Sequence, residues 1–312
     1  MAFERGAAVN GPERPLILSE EVRAALASHE PVVALETSVL SQGLPHPRNL
    51  DAAGAMDGRI RSRAGVPAWI AVKDRHIRVG LSEEELEELS DPRSVVAKVA
   101  RRDYPVALAG GGLGATTVSA TLWAAHHAGI EVMATGGIGG VHPRSGDVSA
   151  DLLEMARTPG LVVCSGPKSI VDPAATLEKL EELGILVAGY GVDRLPFFLA
   201  RAADHLELEH RVDSPAEAAV IARAHVRLEV ESAVLLCNPI PEDRAMDAAE
   251  VARAVAQCEE EAERRGVRGK DVTPFLLGCL SEHTSGASLE ANLSLLSANA
   301  ALAAEIAREL VA

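Results

Sequence analysis

Lysine is rare in this sequence, and one of its few positions suggests covalent chemistry. The 312-residue chain contains five lysines against twenty-five arginines. Arginine stays protonated in proteins, whereas a buried lysine can lose its proton and act as a nucleophile or Schiff-base amine. Lys168 follows the apolar run Leu161–Cys164 and a Gly-Pro turn. Because open α/β sheets place their chemistry beyond the carboxyl ends of strands, Lys168 is a candidate nucleophile, with an ordinary loop lysine as the alternative.

A carboxylate ends another apolar run. Glu36 closes the segment Pro31–Glu36, in which every residue before it is apolar. Because a buried carboxylate is costly unless it is paired, a glutamate at this position is a candidate for acid–base catalysis. The alternative is that Glu36 caps the turn that follows.

The densest group of polar side chains follows a glycine-rich turn within residues 135–151. Four glycines within five residues allow backbone N–H groups to approach a ligand, and His142 follows at once. Ser149 and Asp151 also suit an ordinary role at the start of a helix predicted over Ala150–Arg157. That role leaves His142 and Asp147 unexplained. Asp147 is therefore a candidate ligand for a hard cation such as Mg²⁺ or Mn²⁺, which keeps several waters.

A second glycine-rich segment, Ala109–Ala115, is predicted to join a strand to a following helix. This is the setting of a phosphate-binding turn, with close helix packing as the alternative. The segment lacks the full GxGxxG pattern, and the next strand ends at Thr135-Gly136 without the acidic residue that would bind a ribose. Neither a nicotinamide nor a flavin cofactor is therefore expected.

The charge of the chain limits its partners. A formal net charge of −15 argues against a nucleic-acid partner, which requires a basic surface. An acidic protein that binds a phosphate must concentrate a few cations near it. Lys98, followed closely by Arg101 and Arg102, is a stretch that could do so.

The protein is predicted to be cytoplasmic, without membrane association. Tyr104–Ala125 carries no charged side chain over 22 residues, but its proline and glycines argue against one membrane-spanning helix. The amino-terminal residues contain no apolar stretch that could act as a secretory signal. Widely spaced cysteines without a metal-ligand pattern are predicted to be buried and reduced; they are Cys164, Cys237, Cys258 and Cys279.

Short apolar runs alternate with segments of helical periodicity along most of the chain. This alternation predicts an α/β fold, a three-layer α/β/α sandwich around a largely parallel sheet. The pair Ala68–Asp74 and His76–Leu81 is predicted to form a hairpin at one edge. Residues 1–15 are predicted to be a flexible arm and residues 16–312 a single domain. The predicted strands are Pro31–Glu36, Ala68–Val72, Pro105–Ala109, Ile130–Thr135, Leu161–Cys164, Ile185–Tyr190 and Ala233–Cys237.

The last 25 residues are predicted to form one helix, Ser288–Ala312. Its apolar stripe includes Leu289 and Leu296. Asn292 lies on the same side of this helix, because residues three and four apart share a face. Its amide is therefore expected to point inward, either toward a ligand or toward buried backbone.

Ordered motifs over nearly the whole chain resemble one known family. From about residue 16 to 310, the sequence is similar to the pseudouridine-5′-phosphate glycosidase family, also called the indigoidine synthase A-like family. A string of ordered motifs of this kind is highly specific. The motifs are PVVALETSVLSQGLPHPRN around Glu36, VAKVARRDYP around Lys98, GATTVSAT, ATGGIGGVHP, DVSAD, CSGPKSIVD around Lys168, NPIPE and TPFLL.

The resemblance implies an activity and a set of site residues. The implied reaction is reversible cleavage of the C–C glycosidic bond of pseudouridine 5′-phosphate into uracil and ribose 5-phosphate, with a divalent metal, Mn²⁺. Lys168 would be the nucleophile that forms a Schiff base with ring-opened ribose, Glu36 the proton donor and Asp147 the metal ligand. A homotrimer is also implied. The matching substrate-binding positions are Lys98, Val118, His142, Ser149, Ala150, Asp151 and Asn292.

The sequence departs from the family pattern beside the glutamate. The pattern has Ser-Thr after the glutamate and Ser-His-Gly farther on, whereas this chain has Thr37-Ser38 and Ser41-Gln42-Gly43. The catalytic set itself is intact, so the same reaction is expected. A Schiff-base aldolase or isomerase acting on another phosphosugar is an alternative that also explains Lys168. A non-catalytic nucleotide-binding module explains the glycine turns but not the lysine.

Overall fold

The computed structural model describes residues 15–144, 146–203, 206–269 and 272–312, and all eleven strands within these ranges join one sheet. The predicted arm, residues 1–15, lies outside the described residues except for its last position. The strands are β1 (Leu16–Leu18), β2 (Val32–Glu36), β3 (Val66–Lys73), β4 (His76–Val79), β5 (Val96–Val99), β6 (Leu113–Thr116), β7 (Val132–Ala134), β8 (Leu161–Cys164), β9 (Leu186–Tyr190), β10 (His210–Val212) and β11 (Val234–Cys237). The α-helices are α1 (Glu20–Ala27), α2 (Arg48–Arg61), α3 (Glu83–Ser90), α4 (Tyr104–Gly110), α5 (Val118–Ala128), α6 (Ala150–Met155), α7 (Pro173–Glu182), α8 (Pro215–Arg227), α9 (Ala248–Arg265), α10 (Val272–His283) and α11 (Ala287–Val311).

The sheet is largely parallel, as predicted. Its strand order is β1-β4-β3-β2-β7-β8-β11-β9-β10, and β6 branches from β3 and carries β5. Only the pairs β3–β4 and β3–β6 are antiparallel among the described strands. The predicted hairpin exists as β3–β4, but β1 pairs with the outer side of β4. The hairpin is therefore not the edge of the sheet.

Helices cover both faces of the sheet, which gives the predicted three layers. Successive side chains of a strand point to opposite faces, and β2 is apolar on both. Val33 and Leu35 belong to one core cluster together with Leu295 of α11. Val32 and Ala34 of the same strand belong to the other cluster, which contains residues of α5.

The prediction of a strand over Pro105–Ala109 is wrong. These residues lie in α4, with Pro105 in the first helical turn, where a missing N–H costs nothing. A short apolar run fits a buried strand or a buried helix, and periodicity alone does not separate them. The glycine segment thus joins a helix to β6 and presents no helix N-terminus to a phosphate. None of the helices in the described part of the chain is both long enough and apolar enough to cross a membrane.

The prediction of four reduced cysteines is wrong for two of them. Cys258 of α9 and Cys279 of α10 form a disulfide, with their Cα atoms 5.7 Å apart. The two helices pack against each other after a turn at Gly266, which brings together residues 21 positions apart. Nothing in the spacing indicates this, because it depends on how the helices pack. Cys164 and Cys237 are free, buried and paired in register on β8 and β11.

Candidate active site

The carboxyl ends of neighbouring parallel strands open onto a cavity of about 290 Å³. Strands β2, β7 and β8 adjoin in that order, and the residues at or after their ends that line the cavity include Glu36, Gly136 and Lys168. The branch formed by β5 and β6 contributes Lys98 and Thr117. This is the position at which open α/β sheets bind ligands.

Nine of the ten predicted site residues line this one cavity. The exception is Val118, which is fully buried at the start of α5, and the preceding Thr117 lines the cavity in its place. The structure therefore brings together residues that are up to 256 positions apart in the sequence. The nine are Glu36, Lys98, His142, Asp147, Ser149, Ala150, Asp151, Lys168 and Asn292.

Glu36 is held by two hydroxyl donors. The residue is 4% exposed. Ser38 Oγ donates to its Oε2 at 2.5 Å, and Thr135 Oγ1 donates to its Oε1. Because Thr135 follows β7, the parallel neighbour of β2, the second bond joins two strand ends. Both carboxylate oxygens are thus oriented before a ligand arrives, and neither donor was predicted as a site residue.

Asn299 of α11 joins three strand ends beneath the cavity. Its fully buried side chain donates from Nδ2 to the Thr135 carbonyl at 2.8 Å and to Ser165 Oγ at 3.0 Å. Its Oδ1 accepts from Asn238 Nδ2 at 2.9 Å. These partners directly follow β7, β8 and β11. Asn299 therefore fixes the residue that holds Glu36, and an isolated asparagine in a helix gave no sequence pattern that could have revealed it.

Lys168 is placed by a turn that requires glycine. Gly166 has φ +83°, and a Cβ there would lie 1.9 Å from the Pro196 carbonyl oxygen. Two residues later, the Lys168 N–H donates to the Ile138 carbonyl at 2.9 Å. The turn after β8 is thus bound to the glycine loop after β7. The lysine side chain is partly buried and lines the same cavity as Glu36.

Asp151 fixes the glycine loop rather than standing free for a ligand. The residue is 5% exposed. Its Oδ1 accepts from the Ser119 N–H and its Oδ2 from the Gly139 N–H, each at 3.0 Å. Ser149 Oγ accepts from the Asp151 N–H at 3.2 Å and caps α6, as the alternative interpretation had it. A Cβ at Gly139 would lie 2.3 Å from Ser149 Oγ, so the loop approaches this helix as closely as glycine permits.

Burial favours the neutral form of the His142 imidazole. Burial lowers the pKa of its imidazole below the ordinary 6.5; the nearby Asp147 carboxylate opposes this shift and the Lys98 ammonium adds to it. The backbone N–H of His142 donates to the backbone carbonyl of Asp147 at 2.8 Å. A neutral imidazole can accept or donate a proton in a hydrogen bond to a ligand.

Arg102, and not Arg101, joins Lys98 at the cavity. The Arg101 guanidinium donates to both carboxylate oxygens of Glu154 at 3.0 Å, and Glu154 is buried. Arg102 lines the cavity together with Lys98 and Lys168. Among the described residues these are the three cations on the cavity, and they lie beside the carboxylates of Glu36, Asp103, Asp147 and Asp151. Cations gathered in this way, in a chain of net charge −15, suit a phosphorylated ligand.

Asp147 fits a water-rich metal site. Asp147 is exposed at the cavity wall, where water can reach its carboxylate. Around this cavity, the described residues place no group of three histidine, cysteine or carboxylate ligands close together. A cation bound here would take most of its ligands from water and substrate. Mg²⁺ and Mn²⁺ accept that arrangement.

One wall of the cavity was not predicted as part of the site. It consists of Thr273, Pro274 and Leu277 of α10, together with Gln42. The Gln42 Oε1 atom is buried and has no hydrogen-bond partner among the described residues. An unpaired buried acceptor costs about 1–3 kcal/mol, so a ligand N–H or a water is its expected partner. In sequence, Gln42 stood out only as a departure from the family pattern.

Replacing Thr135 with valine is expected to impair catalysis as well as stability. Thr135→Val keeps the shape and removes the donor to Glu36. A matched control exists, because buried Thr158 donates to buried Glu154 at 2.5 Å, outside the cavity. Each variant should lose about 1.5–3 kcal/mol in urea unfolding, as expected for a hydrogen bond to a charged group. Only Thr135→Val should slow the reaction that the resemblance implies, by about tenfold or more. Equal activity of the two variants would contradict a role for Thr135 in orienting the Glu36 carboxylate for that reaction.

Comparison with known sequences agrees with the resemblance seen in the motifs. The family model described as "Indigoidine synthase A like protein" matches residues 21–309. A relative named pseudouridine-5′-phosphate glycosidase from Saccharopolyspora erythraea is 47% identical over 295 residues, covering 94% of this chain and 97% of the relative. One of the same name from Caldanaerobacter subterraneus subsp. tengcongensis is 44% identical over 296 residues, covering 94% and 96%.

Solved structures show the same fold. An indigoidine synthase A (IdgA)-like protein from Thermotoga maritima has a TM-score of 0.88 and 36% identity, covering 98% of this chain and 100% of that one. The prealnumycin C-glycosynthase AlnA, solved in complex with ribulose 5-phosphate, has a TM-score of 0.87 and 38% identity, covering 96% and 98%. On sequence and on structure, this chain belongs to the indigoidine synthase A-like family, which includes curated proteins named pseudouridine-5′-phosphate glycosidase.

Proposed function

We propose that this protein reversibly cleaves the C–C glycosidic bond of pseudouridine 5′-phosphate to give uracil and ribose 5-phosphate. The observation that carries the proposal is the placement of Lys168 and Glu36 on one cavity with Lys98 and Arg102. Relatives named for this activity support it. The C-glycosynthase solved with ribulose 5-phosphate supports a pentose 5-phosphate as the sugar.

A C–C glycoside explains why an amine would be needed. The leaving group has no glycosidic oxygen to protonate, so the two-carboxylate scheme of ordinary glycosidases does not apply. A lysine amine can instead hold the sugar carbon C1′ as an imine while the bond to uracil forms or breaks. In this proposal Lys168 is that amine, and Glu36 moves the proton at uracil C5.

The proposed reaction is simplest to follow in the direction of synthesis, from ribose 5-phosphate and uracil. The Lys168 amine condenses with the C1 aldehyde of ring-opened ribose 5-phosphate, which takes up a proton and releases water. The C5–C6 π electrons of uracil then form the bond from C5 to C1′, and the C5 proton passes to Glu36. The ribose O4′ finally displaces the lysine nitrogen, and the hydroxyl proton leaves with the amine. Cleavage reverses these steps, with Glu36 as proton donor.

The remaining residues of the cavity would bind and orient the substrate. Lys98 and Arg102 would take the phosphate, because they supply positive charge apart from Lys168. Gln42 Oε1, the unpaired buried acceptor, would take an N–H of the uracil ring. His142 and Asn292 would bind hydroxyl or carbonyl oxygens of the substrate. Val118 could contribute only through its backbone, because its side chain is fully buried.

We propose Mn²⁺ as the metal, held by Asp147 and waters. When bound, the ion would neutralise negative charge on substrate oxygens. The homotrimer, which the family resemblance implies, and the cytoplasmic location, which the sequence predicts, both stay predictions.

Lys168→Arg is expected to abolish turnover while the fold stays intact. Arginine keeps the charge and much of the bulk but cannot form the imine. Lys179→Arg is the matched control, because Lys179 pairs with Glu182 on α7, outside the cavity. Borohydride should trap the sugar on the wild type and on Lys179→Arg only, as read by mass spectrometry. If Lys168→Arg kept more than about a tenth of the wild-type rate, a loss below ~1.4 kcal/mol, no obligatory imine could involve Lys168. Faster trapping with other phosphosugars would favour the aldolase or isomerase alternative.

Lys98→Ala is expected to weaken the binding of the phosphorylated substrate much more than that of the unphosphorylated nucleoside. The apparent binding energy of pseudouridine 5′-phosphate should fall by about 1.5–3 kcal/mol, as for a lost charge-assisted hydrogen bond. Pseudouridine without its phosphate should be affected much less. The control is Lys73→Ala, since Lys73 pairs with Glu88 on another part of the surface. Kinetics with both substrates on both variants test this prediction. An equal loss of binding energy for the two substrates would indicate that Lys98 contacts the sugar or the base and not the phosphate.

Chelation is expected to abolish activity, and titration with Mn²⁺ to restore it. Asp147→Ala should require at least about tenfold more Mn²⁺, because it removes the carboxylate ligand. Asp243→Ala, which changes an exposed aspartate in the short 3₁₀ helix Glu242–Arg244, outside the cavity lining, should titrate like the wild type. Full activity of chelator-treated wild type would refute the metal assignment while leaving the imine chemistry untouched.

A further inference from the structure

Three ligand-forming side chains meet where α9 packs against α10. The sulfurs of Cys258 and Cys279 and a ring nitrogen of His283 all lie within 4.8 Å of one another. Cys279 and His283 are four residues apart on α10 and therefore project from one face of the helix, while Cys258 comes from α9. Within the described ranges, no other group of three histidine, cysteine or carboxylate ligands is gathered in this way.

The burial of the two cysteines favours a metal site over a chance cluster of surface side chains. Cys258 is fully buried and Cys279 is nearly so, whereas His283 is exposed. The packed helices therefore fix both sulfurs, and the imidazole is free to turn toward them. In tetrahedral zinc the ligand atoms lie roughly 3.5–3.8 Å apart, given Zn–S of about 2.3 Å and Zn–N of about 2.0–2.1 Å. The two sulfurs are bonded in the disulfide, so reduction must separate them before they can reach these values.

We propose that Cys258, Cys279 and His283 bind Zn²⁺ when the two cysteines are reduced. Thiolate and imidazole ligands select a borderline-soft ion such as Zn²⁺, whereas the Asp147 carboxylate suits harder cations. Glu261 Oε2 lies 3.9 Å from Cys279 Sγ, so this carboxylate or a water completes the tetrahedron. The proposal does not depend on the reaction proposed for the cavity.

The disulfide is the alternative state of the same two sulfurs. A phosphine reduces it by supplying two electrons; two thiols form with two protons, and the phosphine becomes its oxide with oxygen from water. Zn²⁺ binding then displaces the two thiol protons and leaves the zinc oxidation state unchanged. Disulfide and zinc exclude each other, yet each joins α10 to α9. The other half of α10 carries Thr273, Pro274 and Leu277, so both states brace a wall of the active-site cavity.

Zinc stoichiometry in the two redox states tests the proposal. All proteins carry Asp147→Asn, which removes the other candidate metal site. After phosphine reduction and anaerobic dialysis against Zn²⁺, one zinc per chain is expected by elemental analysis, and none for the oxidised protein. Cobalt in place of zinc should give the intense visible absorption of tetrahedral thiolate-bound Co²⁺. A reduced protein that holds no stoichiometric zinc would overturn the proposal.

Variants assign the ligands. The double variant Cys258→Ser/Cys279→Ser should hold no zinc, and His283→Ala should bind it at least on the order of 10–100-fold more weakly, the loss known even for outer-shell partners. His210→Ala is the control, because His210 is also exposed but lies on β10. His283 is exposed, so its replacement leaves the fold intact even if the double variant does not fold. Equal zinc affinity of His283→Ala and His210→Ala, or zinc retained by the double variant, would refute the assignment.

Discussion

The hydrogen bonds around Thr135 are the constraint on which the rest of the site depends. A carboxylate as buried as that of Glu36 is costly without donors, and Thr135 and Ser38 supply them. Thr135 in turn is fixed through its carbonyl by Asn299, which also holds the ends of β8 and β11. One helix thus sets the relative positions of the strand ends that hold Glu36 and precede Lys168.

Carboxylates in and around the cavity are divided between structural and chemical tasks. Both carboxylate oxygens of Asp151 accept hydrogen bonds from backbone N–H groups, and these bonds hold the glycine loop. Glu154 accepts two hydrogen bonds from Arg101 and so keeps that arginine, one of two adjacent ones, away from the cavity. Lys98, Arg102 and Lys168 line the cavity of this acidic protein, beside the carboxylates of Glu36, Asp103, Asp147 and Asp151. Local pairing therefore decides which of the charged side chains near the cavity face it.

The sequence predicted those features that depend on local pattern. Alternating apolar and helical segments predicted the layered parallel sheet, and polar residues after apolar runs predicted Glu36 and Lys168. The missed features depend on tertiary contacts. Pro105–Ala109 has the length of a strand yet folds as a helix, and Cys258 meets Cys279 only because two helices pack. Thr135 and the α10 wall lie within the family motifs and Asn299 lies outside them, yet none of them was assigned a role, since their importance lies in partners far away in the chain. Local pattern singled out His142, Asp147 and Asn292, and the resemblance, which carries long-range information, assigned them to one site.

The glycine loop after β7 packs so closely that its sequence cannot easily change, whereas other parts of the cavity wall can accept substitutions. Side chains at Gly137 or Gly140 would meet Phe198 at 2.7 Å or Thr176 at 2.2 Å, so these positions tolerate no substitution without rebuilding their neighbours. Gln42 and the residues of α10 face the cavity without such restrictions. Evolution, or a laboratory library that seeks to change the ligand of this cavity, would therefore work more readily through α10 and residue 42. The glycine loop would meanwhile be inherited unchanged, as one rigid wall shared by cavities of different selectivity.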